Sequence, residues 1–417
     1  MTVLTAAEVA AADDLLTSVL VPTPLLPSER LTRAHGRQVL LKREDLQPVR
    51  SYKVRGAYAF IAGLTPQQRA KGVVAASAGN HAQGVAYACQ RLGVTARIYL
   101  PRTTPKQKRD RVSAIGGDAV EVVVQGDVYD DAAGAALADA ARSGATVVPA
   151  FDALATMAGQ GTVAAEIVRQ LGHAPDVVVV PVGGGGLLGG VLTWFAEHHP
   201  QTRVIGVEPH GARSMHTALR EGRPVVLDDM DGFVDGAAVR RVGDLTFAAA
   251  APHRPQVIGV PEGAVCVEML ALYQVDGIIA EPAGSLAPAA LAQIDLGALA
   301  PDATVVAIVS GGNNDVSRYA EVHERALIHQ GRKHYFLVEF RQEPGALRTF
   351  LDTILGPDDD IALFEYVKRS NRETGPALVG IELGSAADLG PLLTRMDASP
   401  LRIERIEPTS PLFRFIQ

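Results

Sequence analysis

One lysine in this chain stands where its amine could bond covalently to an aldehyde. Lys53 lies in the segment SYKVRGA (51–57), shortly after the charged run KRED (42–45). A lysine amine becomes a nucleophile when it loses its proton, and burial or a neighbouring cation favours that loss. A solvated basic stretch at the start of a helix is the competing interpretation, and Lys53 taken alone favours it.

A glycine-containing turn follows a short β-branched run at 73–76. The turn consists of Ser77, Ala78, Gly79, Asn80 and His81, and a helical pattern follows it. Free backbone N–H groups at a helix start bind anions such as a carboxylate, and the Asn80 amide can donate to an oxygen. Capping of the helix by Asn80 is the alternative. His81 alone is more typical of a packed histidine than of a catalyst.

Four consecutive glycines follow the apolar run at 177–182. They are Gly183, Gly184, Gly185 and Gly186, with Leu187 next. Each glycine costs about 0.5–1 kcal/mol relative to alanine in a regular element, against a net stability of roughly 5–15 kcal/mol. Consecutive N–H groups that wrap a phosphate would explain that cost.

A dinucleotide site is the alternative for this glycine loop. Gly184, Gly186 and Gly189 fit the pattern G-x-G-x-x-G, and Glu208 after the next strand could mimic the acid that binds a ribose. The pattern alone leaves this alternative open.

Two further turns carry side chains of interest. Ser310 begins SGGNN (310–314), directly after the run at 304–309, and a serine at a strand end can face a ring nitrogen. Glu281 begins EPAGS (281–285) and places one carboxylate in a Pro/Gly turn. The competing interpretations are an ordinary glycine turn and a surface loop.

The elements around these turns indicate an α/β fold with parallel sheets. Strand and helix patterns alternate between residues 36 and about 320, as βαβ units do. Predicted strands span 73–76, 96–100, 119–124, 177–182, 204–207 and 304–309, and predicted helices span 1–20, 81–92, 105–115, 130–143 and 161–171. Ligands bind beyond the carboxyl ends of such strands, where three of the turns lie.

The pattern changes after residue 325. Residues 334–417 read strand, helix, strand, strand, helix, strand, which is the order βαββαβ of a ferredoxin-like unit. We therefore predict a catalytic region over 1–325, a linker over 326–333 and a second domain over 334–417. A smaller subdomain, roughly 45–150, is expected to be inserted in the catalytic region.

Composition narrows the functional class. The 417 residues are too many for one simple core. A net charge of -7, from 39 Lys+Arg and 46 Asp+Glu, gives no reason to expect nucleic acid or a membrane surface as a partner. Cys89 and Cys266 cannot build a disulfide framework, which favours a reducing cytoplasm. The first 20 residues lack the pattern of a signal peptide.

Taken in chain order, the motifs resemble one enzyme family. SYKVRGAY, SAGNHAQG, AGQGT, PVGGGGL, DGAAV, EPAGS and SGGNN resemble the fold-type II pyridoxal-phosphate (PLP) enzymes, which have a tryptophan synthase β-like core. The similarity is greatest to their threonine and serine dehydratase group. The tail looks like the ACT-like regulatory domain of short-form biosynthetic threonine dehydratases.

The resemblance implies a role for each motif. Lys53 would link to the cofactor aldehyde and later move the substrate α-proton, while residues 77–81 would bind the substrate carboxylate. The cofactor would be held by Asn80 at its phenolic oxygen, by Gly183, Gly184, Gly185, Gly186 and Leu187 at its phosphate, by Ser310 at its ring nitrogen, and by Gly236 and Glu281 near its ring. No metal ligand is expected, because Ser214 stands where racemising relatives have an acidic ligand. Racemisation is not expected either, because Ala78 stands where those relatives have a second serine.

The resemblance also implies a reaction. PLP-dependent β-elimination would convert threonine to 2-oxobutanoate and ammonia, with isoleucine as an effector in the tail and a homodimer or homotetramer as the assembly. A serine dehydratase or another lyase or synthase on the same scaffold is one alternative. A non-catalytic PLP carrier or amino-acid sensor is another, although the presence together of Lys53, Asn80, the glycine loop and Ser310 disfavours it.

Overall fold

The structure is a computed structural model that describes residues 3–366, 373–408 and 410–415. The chain forms two compact units, Met1–Asp315 and Val316–Gln417. The strands of the first unit are β1 (Leu25–Pro27), β2 (Gln38–Arg43), β3 (Val73–Ala76), β4 (Ala96–Leu100), β5 (Val120–Val124), β6 (Thr146–Val147), β7 (Val177–Pro181), β8 (Arg203–Pro209), β9 (Gln256–Val260) and β10 (Thr304–Val309). Its helices are α1 (Ala6–Thr17), α2 (Glu29–His35), α3 (Lys53–Ala62), α4 (Pro66–Lys71), α5 (Asn80–Leu92), α6 (Lys106–Gly116), α7 (Tyr129–Ser143), α8 (Leu154–Leu171), α9 (Gly186–His198), α10 (Ser214–Glu221), α11 (Asp244–Ala250), α12 (Glu262–Gln274) and α13 (Pro282–Ala290).

Two sheets organise the first unit. One has the order β1-β2-β10-β7-β8-β9, and it is parallel except for the pair β1–β2. The other has the order β5-β4-β3-β6 and is parallel throughout. The chain leaves the first sheet after β2, builds the second sheet and returns at β7. The side chains of β7 and β10 are buried, as expected for strands covered on both faces. The predicted α/β fold is confirmed.

Glycines bring α3 close to α8. A Cβ atom on Gly56 of α3 would lie 2.4 Å from Nε2 of Gln160, and one on Gly159 of α8 would lie 2.6 Å from the carbonyl oxygen of Arg55. The segment AGQGT (158–162) therefore serves close helix packing. This close packing also explains why the predicted start of the helix at 161–171 is wrong. Helix α8 begins at Leu154, because the tight contact with α3 outweighs the low helix propensity of glycine.

The second unit is a sheet covered by helices. It contains α14 (Tyr319–His329), β11 (Lys333–Arg341), α15 (Ala346–Ile354), β12 (Asp360–Tyr366), β13 (Thr374–Glu382), α16 (Leu389–Asp397) and β14 (Arg402–Ile406). The strand order is β12-β13-β11-β14, and the neighbouring strands are antiparallel. Phe336, Phe350, Val379 and Ile381 are buried in its core. The predicted βαββαβ order is confirmed, and residues 367–369 of its predicted third element lie outside the described residues.

The residues predicted as a linker, 326–333, hold the end of α14, a turn and the start of β11. Gly331 ends the helix with a φ of +67°. The Glu324 carboxylate of α14 accepts hydrogen bonds from Lys333 and Tyr335 of β11, so this helix packs with the second unit. Among the described helices, none is long and apolar enough to cross a membrane.

Candidate active site

Lys53 is the first residue of α3, and backbone hydrogen bonds fix the loop before it. The Tyr52 N–H donates to the carbonyl of Ser310 at 3.1 Å, and the Gly312 N–H donates to the carbonyl of Arg50 at 2.9 Å. Ser51 and Gly311 form an antiparallel bridge between these two bonds. The predicted Lys53 and Ser310 segments are therefore held side by side.

The Lys53 amine lies in a desolvated setting. It donates a hydrogen bond to the carbonyl oxygen of Ala150 at 3.1 Å. Burial lowers the pKa of Lys53 to about 8, although the nearby Glu281 carboxylate opposes this change. An amine with that pKa is neutral far more often at pH 7–8 than an ordinary lysine, which is the condition for attack on an aldehyde.

The glycine loop presents backbone donors that lack partners. The carbonyl of Gly184 accepts from the hydroxyl of Thr246 at 2.7 Å, and Gly185 has a φ of +92°. No described residue accepts a hydrogen bond from the N–H groups of Gly183, Gly184 and Gly185, or from those of the first turn of α9, which includes Leu187. Aligned free N–H groups at a helix start fit a phosphate.

Phe151 connects the lysine to this loop. It follows Ala150, which accepts from Lys53, and its ring lies 2.3 Å from the place where a Cβ atom on Gly184 would be. A Cβ atom on Gly186 would lie 3.1 Å from Cβ of Phe151. A larger residue at either position would push the loop away from Phe151 and hence from the lysine.

Asn80 belongs to a polar cluster beside the Ser310 turn. It is the first residue of α5, and its Nδ2 donates to Oε1 of Glu281 at 2.5 Å. The Asn313 side chain in turn donates to Oδ1 of Asn80 at 2.7 Å. Burial raises the pKa of Glu281 to about 7, Asp235 raises it further, and the Asn80 hydrogen bond opposes the change. Glu281 is thus a buried carboxyl group of this cluster rather than part of a surface loop.

Small residues leave room around that carboxylate. A Cβ atom on Gly311 would lie 2.2 Å from Oε1 of Glu281, and one on Gly236 would lie 3.6 Å from the same atom. Ser310 is buried, and its hydroxyl donates to the carbonyl of Ala283 in α13 at 3.1 Å. Gly236 and Ser310 thus both lie close to the start of α13.

The turn at 77–81 carries the features of an anion site at its helix start. The Gly79 N–H donates to the Ser77 hydroxyl at 3.3 Å, whereas the N–H groups of Asn80, His81 and Ala82 have no acceptor among the described residues. Ala78 adds no polar group. His81 is buried and bonds to the carbonyl of Val148 at 2.9 Å. Burial, together with the charge of Lys53, lowers its pKa to about 4, so it is neutral at pH 7. His81 is therefore a packed histidine.

Glu208, which a dinucleotide site would need as the acid that binds the ribose, has a different role in the structure. The Glu208 carboxylate accepts from the N–H groups of Met215 at 2.6 Å and His216 at 2.9 Å. It therefore caps α10, and burial raises its pKa to about 7. No group of three or more His, Cys, Asp and Glu side chains that could hold a metal ion occurs among the residues the structure describes.

Four contributors to the site were not predicted from the sequence. Ala150 and Phe151 follow the two-residue strand β6, and no local pattern marks them. Thr246 lies in α11, far along the chain from the glycine loop that it holds. Asn313, by contrast, stands inside SGGNN, and that motif was the signal that could have identified it.

Two family models cover almost the whole chain. Residues 16–311 match the family described as pyridoxal-phosphate dependent enzyme. Residues 324–416 match the family described as C-terminal regulatory domain of threonine dehydratase.

Relatives and solved structures agree with these matches. The biosynthetic L-threonine dehydratase of Mycobacterium tuberculosis is 58% identical over 99% of this chain and 96% of its own length. The corresponding protein of Bacillus subtilis is 45% identical over 95% of this chain and 94% of its own. The processed form of threonine deaminase isoform 2 from Solanum lycopersicum has a TM-score of 0.73 at 40% identity, covering 77% of this chain and 93% of that structure.

Proposed function

We infer, from the premise that the chain belongs to the pyridoxal-phosphate-dependent enzymes and carries the regulatory domain of threonine dehydratase, that it removes ammonia from L-threonine and forms 2-oxobutanoate. The observation that carries this inference is the desolvated Lys53 amine, which lies next to the glycine loop and its free N–H groups. That arrangement suits a cofactor with an aldehyde and a phosphate. Threonine is the substrate named for relatives that are similar over nearly the entire chain.

Four segments would hold the cofactor. Lys53 would bond to the aldehyde, the N–H groups of residues 183–187 would bind the phosphate, Asn80 would donate to the phenolic oxygen, and Ser310 would face the ring nitrogen. Bound PLP supplies an electron-accepting ring that weakens the bonds at the α-carbon of the attached amino acid. The free donors and the low lysine pKa fit such a group.

The chain's own residues would then position the substrate and move its protons. The N–H groups of the turn at 77–81 bind the carboxylate, and the neutral His81 adds no charge there. The Lys53 amine takes the proton from the α-carbon, and a pKa of about 8 suits a base that acts near neutral pH. Ser310 would place no full charge at the ring nitrogen, which favours prompt loss of the β-hydroxyl. The hydroxyl would take up one proton and leave as water, which balances the proton that Lys53 takes from the α-carbon. The released enamine takes up water and yields 2-oxobutanoate and ammonia.

The purified protein is expected to be yellow with PLP and to release 2-oxobutanoate and ammonia from L-threonine in equal amounts. Both products are measured with L-threonine and with L-serine as substrate. Turnover of serine but not threonine would replace this function with that of a serine dehydratase. A protein that binds PLP but releases ammonia from neither substrate would be a carrier or a sensor.

We propose that the second unit regulates the reaction by binding isoleucine, the end product of a pathway that begins with 2-oxobutanoate. Its similarity to a regulatory domain and its separate buried core support this role. An effector can change activity only if it binds two states of the enzyme with different affinity.

A chain that ends at Asp315 is expected to retain PLP and threonine turnover and to lose inhibition by isoleucine. The boundary is placed before α14, because Glu324 bonds to Lys333 and Tyr335 and a cut at Glu324 would break this helix. Initial rates with and without isoleucine test the idea in both chains. Isoleucine inhibition that persists after truncation would place the effector site in the first unit.

We also propose a homodimer or homotetramer that works in the cytoplasm. The oligomer is suggested by the family resemblance. The cytoplasm is suggested by Cys89 and Cys266, which are both buried and are not joined in a disulfide, as is usual for proteins of a reducing compartment.

A further inference from the structure

A chain of hydrogen bonds runs from Asn313 through Asn80 to Glu281, and in each bond the earlier residue is the donor. Nδ2 of Asn313 donates both to the backbone carbonyl of Val49, at 2.8 Å, and to Oδ1 of Asn80, at 2.7 Å. Nδ2 of Asn80 then donates to Oε1 of Glu281 at 2.5 Å. In both asparagines the NH₂ group is therefore the donor, and the amide oxygen of Asn80 is the acceptor for Asn313.

The carbonyl of Val49 sets this direction. A backbone carbonyl can only accept, so Asn313 must turn its NH₂ group toward Val49. The same NH₂ group faces Asn80, which must therefore offer its oxygen. The buried Oδ1 of Asn313 has no partner among the described residues. Most buried oxygens accept a hydrogen bond. Asn313 instead orients its side chain so that its NH₂ group donates both of its hydrogen bonds, to Val49 and to Asn80.

We propose that Asn313 is a positioning residue that fixes the orientation of the Asn80 amide and so presents the Asn80 NH₂ group to the cofactor. This inference rests on the proposed function, which places the phenolic oxygen of PLP at Asn80. Glu281 takes one of the two Nδ2 hydrogens, and the second is left for that oxygen. A Cβ atom on Gly311 would lie 3.3 Å from Nδ2, so the absence of a side chain there keeps this end of the amide accessible.

The orientation matters because the two ends of an amide have opposite effects on a neighbouring oxygen. An NH₂ group stabilises the deprotonated phenolic oxygen, and an amide oxygen in the same place repels it. Without Asn313, only Glu281 is left to select between the two orientations. Because burial raises the pKa of Glu281 to about 7, its carboxyl group is partly protonated near neutral pH and can then donate to the Asn80 oxygen as well as accept from the NH₂ group. The Asn80 side chain would remain present and packed, yet its contact with the cofactor would be weakened.

The test is the absorbance of the holoenzyme as a function of pH, without substrate. Asn313→Ala is expected to reduce the visible absorbance band of the lysine-bound cofactor. The midpoint of the pH titration of this band should move to higher pH by about one unit, because a hydrogen bond to a charged oxygen is lost. Asn313→Asp preserves the size of the side chain but can only accept, so it should turn the Asn80 oxygen toward the cofactor and shift the midpoint at least as far. If Asn313→Ala yields no folded holoenzyme, Asn313→Asp decides.

Asn314→Ala is the matched control in the same turn. The Asn314 side chain accepts from the Asp315 N–H, and its Nδ2 has no partner among the described residues, so the wild-type spectrum is expected. In an Asn80→Ala background, Asn313→Ala should cause no further shift, because it acts through Asn80. An unchanged midpoint in the Asn313 variants, or an equal shift in the Asn80→Ala background, would refute the proposal. Failure of the proposed function would appear separately, as wild-type protein that does not turn over threonine.

Discussion

Replacement of Lys53 by alanine is expected to abolish threonine turnover, with a fall in kcat of at least about 10³-fold. The variant loses both the amine that would bond to the aldehyde and the base that would take the α-proton. Its glycine loop is intact, so PLP should still bind through its phosphate, without a covalent link. Borohydride reduction followed by peptide mass spectrometry would show the cofactor on the peptide that contains residue 53 in wild type and not in the variant.

Two further variants make this result specific. Lys53→Arg retains a cation of similar length, but a guanidinium does not lose its proton at neutral pH, so it should be as inactive as the alanine variant. Lys71→Ala removes an exposed lysine at the end of α4 and should behave as wild type. Near-normal turnover by either Lys53 variant would overturn the assignment of the site.

The site could be predicted from sequence wherever a turn follows a buried parallel strand. The runs before Ser77, Gly183 and Ser310 are short, apolar and rich in valine, so they indicated strands that are buried on both faces. The carboxyl ends of parallel strands share one edge of a sheet, which is why these turns were expected to bind ligands. The same alternation predicted the helix at 81–92, and Asn80 is indeed the first residue of α5, whereas no helix was predicted at 53–62, where Lys53 begins α3.

Contacts between distant segments could not be predicted in this way. Phe151 approaches the glycine loop only because the chain passes from the second sheet back to the first, and Thr246 reaches Gly184 from a separate helix. Strand β2 was not recognised either, because it contains Lys42 and Arg43 and charged residues rarely lie in buried strands. The partners that make a buried lysine possible there are visible only in three dimensions.

Those partners form a buried ionic cluster under α3. Lys42 donates to Oε1 of Glu166 at 2.5 Å, and the Arg55 guanidinium bonds to the carboxylates of Glu44, at 2.8 Å, and Glu166, at 2.9 Å. All four side chains are at least 95% buried. Arg55 lies two residues after Lys53 on α3, so the cluster ties this helix to β2 and α8.

Removal of Arg55 is expected to have the largest effect on stability. Arg55→Met retains length and apolar bulk but leaves Glu44 without its cation and Glu166 with Lys42 alone. Breaking a buried ion pair from one side destabilises a protein by about 3–5 kcal/mol, because a charge stays buried without compensation. Chemical unfolding of the two proteins at pH 7 measures the difference.

The loss of stability in Arg55→Met should also depend on pH, and the titration of Glu44 determines whether this loss grows or shrinks as the pH falls. Burial opposes ionisation of this carboxyl group, but Arg55 and Lys42 hold its pKa down to about 2. A carboxyl group whose pKa is depressed on folding stabilises the wild type above the pKa of the unfolded chain and loses that contribution as the pH falls toward 2. Arg55→Met removes the strongest of the interactions that lower this pKa and leaves only Lys42 and Thr23 to oppose burial, so protonation of Glu44 becomes easier and relieves the buried charge. The difference in unfolding free energy between the two proteins should therefore shrink from pH 7 to pH 4.

An exposed ion pair provides the control for this experiment. Lys106 and Asp110 on α6 are 2.5 Å apart, with side chains that are 79% and 58% exposed. Surface pairs of this kind contribute about 0–1 kcal/mol, so Lys106→Ala should change the unfolding free energy little at any pH between 7 and 4. An Arg55→Met protein as stable as wild type at pH 7 would mean that Lys42 alone compensates both carboxylates. A fall in stability that did not depend on pH would mean that the lost packing of the arginine, rather than its charge, holds α3 in place.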